Sequence, residues 1–387
     1  MIGIIGSGAM GTGIAQVAAA VGENVILFDT HKPALEKAKS NLDSTLKKLA
    51  EKGKISDDEA RIIFERIHFA GELNEFKNCD LVIEAVIEDL TIKRNLFSEL
   101  EKIVSADCVL GTNTSSLSIT SIASACAKQG RVIGIHFFNP AAVMPLVEVV
   151  KGIATESSIE KNIKSQMESW KKVPVLAKDT PGFIVNRVAR PFYGEAIRIY
   201  EEGIADIPTI DEAMRDGGFK MGPFELMDFI GNDVNYTVTE TVWKQFFHDP
   251  KYKPSLTQKR MVEANLLGRK TGRGYYDYEH QPANSKSQSS SPKPQTFKSI
   301  IFNRILAMLI NEAADALYYG IATKEDIDLA MTKGVNYPKG LLKWADEIGV
   351  EKVFAEIDKL YSEYCEDRYR PSILLRKMVF EKKNFFD

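Results

Sequence analysis

Residues 1–29, MIGIIGSGAMGTGIAQVAAAVGENVILFD, decide the fold of the N-terminal part of the chain. The stretch is typical of a strand, a glycine-rich turn, a helix and a second strand. Its turn spaces three glycines as GxGxxG, from Gly6 through Gly8 to Gly11. In this context Gly6 permits a tight turn, Gly8 lets the backbone approach a pyrophosphate, and Gly11 lets the helix lie close to the strand. The spacing therefore predicts a dinucleotide-binding site, with Met10 at the start of the helix among its residues.

Asp29 ends the second predicted strand, 18 residues after Gly11 (29 − 11). An acidic residue at this place holds the ribose hydroxyls of a dinucleotide and repels a 2′-phosphate, which favours NAD over NADP. Thr30, His31 and Lys32 follow it and leave room for some tolerance of NADP. Two alternatives stay open at this point, namely a glycine-rich turn without a ligand and an FAD-binding domain.

Short apolar runs recur along the next hundred residues and are typical of buried strands, at 80–86, 108–112 and 132–137. Helical stretches lie between them, and strands that alternate with helices predict a parallel sheet covered on both faces. From about residue 180 the pattern changes to long helical segments with few strand-like runs. The sequence therefore predicts an α/β, Rossmann-type NAD-binding domain over residues 1–179, followed by a mostly α-helical part that begins near Pro181.

The helical part contains an internal repeat at an offset of 117 residues (303 − 186). The matches are Asn186 with Asn303, Arg187 with Arg304, Glu195 with Glu312, Gly203 with Gly320, and Asp211 with Asp328. One inserted residue raises the offset to 118, after which Gly222 aligns with Gly340, Asp228 with Asp346, and Gly231 with Gly349. The Ser-, Pro- and Lys-rich segment between the copies cannot bury enough apolar surface to order itself, which is typical of a flexible linker. The repeat predicts helical copy one at 180–279, a linker at 280–297 and helical copy two at 298–387.

The composition excludes several classes of protein. The 387 residues include 50 Lys and Arg against 53 Asp and Glu, a near-balance that argues against a nucleic-acid binder acting through a broad basic field. No stretch approaches the roughly 20 apolar residues that span a bilayer. The four cysteines show neither a CxxC pair nor metal-ligand spacing, so we expect a reduced, cytoplasmic setting and no metal. A strand-like run follows directly on Met1, and we expect no targeting segment before it.

Among the five histidines, His136 has the position best suited to acid–base chemistry. It ends a predicted buried strand and precedes Phe-Phe-Asn-Pro, a sequence that reverses the chain. Glu148 lies inside a later apolar run, where a carboxylate is unfavourable unless it is paired. If the chain turns at Asn139-Pro140 and returns beside its own strand, Glu148 meets the His136 ring and can hold it as a general base. The alternative is a core histidine bonded to a structural glutamate.

Further motifs follow in order along the chain. They are Val86-Ile-Glu88-Asp, Asn113-Thr-Ser115-Ser116-Leu, Leu146-Val-Glu148-Val, Pro181-Gly-Phe-Ile-Val-Asn186-Arg, GFKMGPFELMDFIG at 218–231 and LGRKTGRGYY at 267–276. Together with GSGAMG and HFFNP, they make residues 1–278 similar to the L-3-hydroxyacyl-CoA dehydrogenase family. The 298–387 repeat resembles the duplicated helical domain of larger members. The resemblance implies a Rossmann-type domain followed by two tandem all-α domains like the C-terminal domain of 6-phosphogluconate dehydrogenase.

The resemblance also implies a catalytic set of four residues. His136 corresponds to the base of the family and Glu148 to its partner. Ser115 corresponds to the hydroxyl that binds the substrate oxygen. Asn186 corresponds to the amide that completes the oxygen site from the helical part.

Binding residues are implied in the same way. Glu88 and Lys93 match positions that contact the nicotinamide-ribose region of the cofactor, and Asn113 lines the same cleft. Lys52, with Lys54 as a further candidate, falls in the helical hairpin where the family holds the CoA moiety. The alternative for these two lysines is a solvated run of charge.

The implied activity is reversible NAD-dependent oxidation of an (S)-3-hydroxyacyl-CoA to the 3-ketoacyl-CoA, with one active site per chain and 3-hydroxybutyryl-CoA and acetoacetyl-CoA as the expected pair. Two rivals are a β-hydroxyacid dehydrogenase for a non-CoA acid, which generally uses a lysine base, and a non-catalytic NAD- or CoA-binding protein. The His136–Glu148 pair favours the dehydrogenase of CoA thioesters. Because the single helical domain of short relatives is the expected dimer contact, copy two is expected to take a partner's place within the chain. A pseudo-dimeric monomer and a homodimer both stay open.

Overall fold

The computed structural model describes residues 1–280 and 293–386. The chain divides into two compact units, Met1–Thr180 and Pro181–Asp387.

The first unit is built on one eight-stranded sheet. Its strands are β1 (Ile2–Ile5), β2 (Val25–Phe28), β3 (Ile67–Phe69), β4 (Leu81–Glu84), β5 (Val109–Thr112), β6 (Val132–Phe137), β7 (Leu146–Lys151) and β8 (Val173–Lys178). They lie in the order β3-β2-β1-β4-β5-β6-β7-β8. Neighbouring strands are parallel except β6 and β7, which are antiparallel. The antiparallel pair agrees with the predicted reversal at Asn139-Pro140, because the connection between β6 and β7 is too short for a crossover helix.

Six α-helices accompany the sheet in the first unit. They are α1 (Ala9–Ala20), α2 (Lys32–Glu51), α3 (Asp57–Glu65), α4 (Leu90–Ile103), α5 (Ile119–Ala123) and α6 (Ser157–Ser169). The apolar faces of α1, α2 and α6 form one core with the strands, in which Ile4, Ile14 and Ile135 are fully buried. Helix α3 begins at a capping box in which Ser56 and Glu59 bond each other's backbone amides, as the sequence Ser56-Asp-Asp-Glu59 indicates.

The second unit is all helical within the described residues. Its helices are α7 (Val185–Val188), α8 (Arg190–Glu201), α9 (Ile207–Asp216), α10 (Pro223–Ile230), α11 (Asn232–Gln245), α12 (Leu256–Glu263), α13 (Gln295–Tyr318), α14 (Lys324–Gly334), α15 (Leu341–Ile348), α16 (Val350–Tyr364) and α17 (Ile373–Glu381). Residues 281–292, which make up most of the predicted linker, lie outside the described residues. Helix α13 begins at Gln295, three residues before the predicted start of copy two.

The matched positions of the repeat occupy equivalent places in the second unit. The Asp211 carboxylate accepts hydrogen bonds from two backbone amides in the first turn of α10, and the Asp328 carboxylate does the same for α15. Gly231 and Gly349, with φ of 107° and 101°, each stand between two consecutive helices. Such angles favour glycine, which explains why this residue recurs at both places.

The described residues contain neither a membrane-spanning helix nor a cluster of metal-ligating side chains. Across 1–280 and 293–386, no helix is long and apolar enough to cross a membrane. The same residues contain no group of three or more His, Cys, Asp or Glu side chains that could hold a metal ion.

Candidate active site

The glycine-rich turn between β1 and α1 has the geometry that its sequence predicts. Gly6 has a φ of 100°, and a Cβ built on Gly11 would lie 1.8 Å from the Gly6 carbonyl oxygen. A Cβ on Gly8 would meet no heavy atom within 4 Å, so the surface above this residue is open. Among the described residues no side chain caps the N-terminus of α1, which begins just after Gly8 and carries the half-buried Met10. The turn therefore offers backbone amides and a helix N-terminus to an anionic group.

Asp29 follows β2 and is joined to this turn. Its carboxylate accepts hydrogen bonds from the Ser7 amide (2.7 Å), the Ser7 hydroxyl (2.9 Å) and the His31 amide (2.9 Å). Partial burial alone would raise the pKa of Asp29, but these hydrogen bonds outweigh it and lower the pKa. The carboxylate is thus ionised at neutral pH, which suits ribose hydroxyls and disfavours a 2′-phosphate.

A cleft of about 680 Å³ opens beside Asp29 and the glycine turn. Its lining includes the apolar residues Phe28, Val86 and Leu96 as well as Asp29. A cleft of this size with mostly apolar walls, and with Asp29 and Glu99 as its acidic residues, fits the adenosine half of a dinucleotide. The glycine turn, the ionised Asp29 and the cleft together fit NAD.

The His136–Glu148 pair forms as predicted. The two residues face each other directly in the β6–β7 register, and His136 Nδ1 lies 2.7 Å from Glu148 Oε2. His136 is 6% exposed and Glu148 is fully buried. When Glu148 is ionised it can only accept a hydrogen bond, so Nδ1 carries the proton and Nε2 of the neutral ring is the basic nitrogen. The pair can therefore accept a proton at Nε2, and the resulting imidazolium stands beside a buried carboxylate.

Glu88 organises the segment that carries Ser115. Glu88 Oε1 accepts hydrogen bonds from the Thr114 hydroxyl (2.6 Å), the Ser115 amide (2.8 Å) and the Ser115 hydroxyl (3.3 Å). The amide and hydroxyl of Ser116 add two more, each at 3.1 Å. Burial alone would raise the pKa of Glu88, but the Lys93 ammonium and these hydrogen bonds outweigh it and lower the pKa. An ionised Glu88 thus fixes the backbone of residues 114–116.

Lys93 is buried beneath this segment together with a carboxylate that sequence reasoning missed. Its ammonium lies 2.5 Å from Glu84 Oε1 and 3.2 Å from Glu88 Oε2, and it is 1% exposed. Glu84 is fully buried, and its Oε2 accepts a hydrogen bond from the Thr112 hydroxyl at 2.7 Å. Because a buried ammonium must be paired, Glu84 and Glu88 account for the position of Lys93. The only sequence signal for Glu84 is a carboxylate at the end of an otherwise apolar strand.

Asn113 joins the Ser115 segment to the His136 strand. Its side-chain oxygen accepts a hydrogen bond from the Phe137 amide at 2.8 Å. Asn113 follows β5, and Phe137 is the neighbour of His136 at the end of β6. The predicted residues Glu88, Lys93, Asn113, Ser115, His136 and Glu148 therefore belong to one end of the sheet in the first unit, where parallel strands carry their sites.

The remaining predicted residues belong to other segments of the chain. Asn186 belongs to the second unit, in the single turn of α7, and is half-buried. Lys52 and Lys54 are exposed at the turn between α2 and α3, in the predicted helical hairpin. The described residues bring neither lysine to a hydrogen-bonded site, so their contribution to CoA binding stays a prediction.

Comparison with known proteins covers both units. Residues 1–180 match the family model for 3-hydroxyacyl-CoA dehydrogenase, NAD binding domain. Residues 182–278 and 300–384 match the model for 3-hydroxyacyl-CoA dehydrogenase, C-terminal domain.

Individual relatives agree with these matches. The chain is 36% identical to 3-hydroxyadipyl-CoA dehydrogenase of Escherichia coli, with 99% of this chain and 98% of that protein covered. It is 42% identical to a probable 3-hydroxybutyryl-CoA dehydrogenase of Deinococcus radiodurans, over 71% of this chain and 99% of that protein. The crystal structure of 3-hydroxybutyryl-CoA dehydrogenase from Escherichia coli K12 superposes with a TM-score of 0.92 at 35% identity, covering 98% of both chains. The chain therefore belongs to the 3-hydroxyacyl-CoA dehydrogenase family, which confirms the predicted class of NAD-dependent dehydrogenase.

Proposed function

We propose that this protein oxidises (S)-3-hydroxyacyl-CoA reversibly to 3-ketoacyl-CoA with NAD, and that His136 is the general base. The observation that carries the proposal is the buried His136–Glu148 pair, in which Nδ1 is held at 2.7 Å and Nε2 is left as the basic atom. A binding module has no use for such a proton acceptor. The substrate pair 3-hydroxybutyryl-CoA and acetoacetyl-CoA is supported by the names of two of the relatives.

Each of the four residues then has a defined task. His136 Nε2 takes the proton of the C3 hydroxyl, and Glu148 stabilises the imidazolium that forms. Ser115 and Asn186 donate hydrogen bonds to the substrate oxygen as negative charge develops on it. Bound NAD supplies a hydride acceptor at the nicotinamide ring. Glu88, Lys93 and Asn113 keep the Ser115 segment in place on the nicotinamide side of the cofactor.

We further propose that the second unit consists of two copies of one helical domain, at 180–279 and 298–387, and that the chain has a single active site. The repeat at an offset of 117 and the two separate ranges matched by one C-terminal-domain model support this. Asn303 corresponds to Asn186, but no second glycine-rich turn accompanies it in the sequence. Copy two then takes the place of a partner subunit, as in a pseudo-dimeric monomer, and a homodimer of such chains is the other arrangement.

The test is the activity of His136→Gln on acetoacetyl-CoA with NADH, followed by absorbance at 340 nm. Loss of a general base should lower the rate by a factor of about 10²–10⁴. NADH affinity, measured by fluorescence, should stay within about threefold of the unmodified protein, because a neutral imidazole contributes no charge to cofactor binding. A variant that keeps the rate of the unmodified protein would refute the role of His136. Parallel assays with 3-hydroxybutyryl-CoA, 3-hydroxyadipyl-CoA and free 3-hydroxybutyrate separate the acyl preference from the requirement for CoA.

A further inference from the structure

Two buried ion pairs link the halves of the repeat reciprocally within the second unit. Arg187 Nε donates to Glu312 Oε1 at 2.6 Å, and Arg304 Nε donates to Glu195 Oε1 at 2.6 Å. The two arginines are 117 residues apart (304 − 187), and so are the two glutamates (312 − 195). Each pair thus joins an arginine of one copy to a glutamate of the other. All four residues are at least nine-tenths buried.

The Arg187–Glu312 pair is the one next to a predicted site residue, because Arg187 directly follows Asn186 in the turn α7. Glu312 is fully buried and is itself held by the Tyr252 hydroxyl at 2.6 Å and by Lys251 Nζ at 2.8 Å. Asn186 is the one half-buried residue in the otherwise buried run 182–190. A fixed anion in copy two therefore anchors the residue adjacent to the amide that we assign to the substrate oxygen.

The turn that carries Asn186 depends on the Arg187–Glu312 pair more than the matching segment around Asn303 depends on the Arg304–Glu195 pair. Copy one has two helices here, α7 and α8, where copy two has the continuous 24-residue helix α13. Pro191 in the first turn of α8 has no N–H and cannot bond back to the preceding turn, which accounts for the break. Arg304, by contrast, lies inside the continuous helix α13, where backbone hydrogen bonds extend on both sides of it.

Arg190 also binds the backbone at Asn186. Arg190 Nε donates to the Asn186 carbonyl oxygen at 2.8 Å, and the Arg190 guanidinium also donates to the Thr239 hydroxyl at 3.0 Å. This tether comes from copy one, whereas the Glu312 anchor comes from copy two. Both copies thus contribute contacts to the segment that carries Asn186.

We propose that Glu312, in the helical copy that lacks its own cofactor domain, is a positioning residue for the active site and acts by fixing Arg187 and the turn that presents Asn186. The inference rests on the proposed function, since it takes Asn186 as a donor to the substrate oxygen. In this proposal, copy two contributes to the geometry of the active site in addition to packing against copy one. The chain also provides its own control, because Glu195 makes the same kind of pair beside Asn303, which completes no site.

The experiment compares Glu312→Gln with Glu195→Gln in the full-length protein, using acetoacetyl-CoA and NADH. Both variants remove one buried carboxylate charge, so both lower the urea midpoint of unfolding. We expect kcat to fall about tenfold in Glu312→Gln, because small displacements of a positioned group strongly lower the rate, and to stay within about twofold in Glu195→Gln. KM for NADH stays within about twofold in both, because neither residue lies in the cofactor-binding unit.

A third variant shows whether Glu312 acts through Asn186. In the background of Asn186→Ala, adding Glu312→Gln should lower kcat by less than about twofold, since the donor that it positions is gone. A full tenfold loss in that background, or equal losses in Glu312→Gln and Glu195→Gln, would overturn the proposal. If Asn186→Ala by itself leaves kcat unchanged, the assignment of Asn186 fails as well, and the two failures are distinguishable.

A second matched pair of variants removes only a tyrosine hydroxyl, and it serves if loss of the Glu312 or Glu195 charge prevents folding. The Tyr252 hydroxyl bonds Glu312 at 2.6 Å, and the Tyr369 hydroxyl bonds Glu195 at 2.7 Å, again 117 residues apart (369 − 252). Tyr252→Phe should lower kcat about threefold while Tyr369→Phe leaves it within experimental error. Identical kcat values for the two variants would count against a positioning role for Glu312.

Discussion

Replacement of Glu148 by glutamine tests the central pair without changing its size. In the protein, the buried carboxylate lies 2.7 Å from His136 Nδ1. A glutamine can offer Nδ1 an N–H instead of an oxygen, which turns Nδ1 into the acceptor and leaves the proton on Nε2. The ring would then present a donor to the C3 hydroxyl in place of a base. Glu148→Gln should therefore fail at the proton transfer and not at binding.

The expected size of the effect follows from the charge that is lost. In the proposed reaction His136 becomes an imidazolium beside the Glu148 carboxylate, and we take the two charge centres to lie about 4 Å apart. At an effective dielectric constant of about 20, two unit charges at that separation attract each other by about 4 kcal/mol. Since about 1.4 kcal/mol of activation free energy is a factor of ten in rate, we expect kcat to fall about 10³-fold.

The assay is reduction of acetoacetyl-CoA by NADH under saturating conditions, with NADH affinity measured separately by fluorescence titration. Glu101→Gln is a suitable control, because its carboxylate accepts hydrogen bonds from the Ala127 and Lys128 amides and takes no part in the site. We expect the control to keep kcat within about twofold and both variants to bind NADH normally. If Glu148→Gln retained more than about a tenth of kcat, Glu148 would be a structural partner of a core histidine, and the assignment of the base would be wrong.

Two further predictions concern the glycine turn and the pH dependence of stability. Gly11→Ala should lower the unfolding free energy by about 2 kcal/mol, since its Cβ would lie 1.8 Å from the Gly6 oxygen. Gly8→Ala should keep the thermal midpoint but weaken NADH binding by about tenfold or more, because the added methyl group blocks the close approach of the pyrophosphate. Equal thermal midpoints for the two variants would contradict this prediction. Burial alone would raise the pKa of Glu312, but Lys251 and the neighbouring guanidinium lower it to about 2, so the stabilisation from Glu312 is complete above pH 4.5 and is lost as the pH falls towards 2. Urea unfolding from pH 7 to pH 3 should show the difference between the unmodified protein and Glu312→Gln shrinking below pH 4.5, and a constant difference would refute the assignment.

Sequence reasoning located the parts of the site that depend on local geometry. The glycine turn could be predicted because its glycines meet backbone requirements set by the neighbouring strand and helix. The His136–Glu148 contact could be predicted because a chain reversal between two apolar runs places facing residues side by side. Both predictions needed only the order of residues and the rules of one turn.

Two strands were missed because their sequences lack the usual signals. Strand β3 (Ile67–Phe69) has only three residues and exposes His68. Strand β8 (Val173–Lys178) contains Pro174, which cannot donate to a ladder and argues against a central strand. The proline is tolerated because β8 is the last strand of the sheet and pairs with β7 alone. Both segments form strands because of their position at an edge of the sheet, which the local sequence does not encode.

Glu84 shows why a buried charge network cannot be inferred from a run of apolar residues. Its side-chain partners are Lys93 on the following helix and Thr112 on the neighbouring strand, and both contacts appear only after β4, α4 and β5 have assembled. Because buried charges are stable only in closely matched pairs, the network fixes its members firmly. Glu84 fixes Lys93, Lys93 pairs with Glu88, and Glu88 holds the backbone that presents Ser115.

The two proposed donors to the substrate oxygen are thus supported by the same physical means in separate units. Ser115 follows a strand and Asn186 lies in a single helical turn, so neither residue lies inside a long regular element. The fully buried Glu84 binds Lys93, whose other partner Glu88 holds the Ser115 segment. The fully buried Glu312 binds Arg187, which is the sequence neighbour of Asn186. An oxygen site needs donors that are already oriented before charge develops, because reorientation during the reaction would raise the barrier. At these two segments, buried ion pairs add to the rigidity that backbone hydrogen bonds provide.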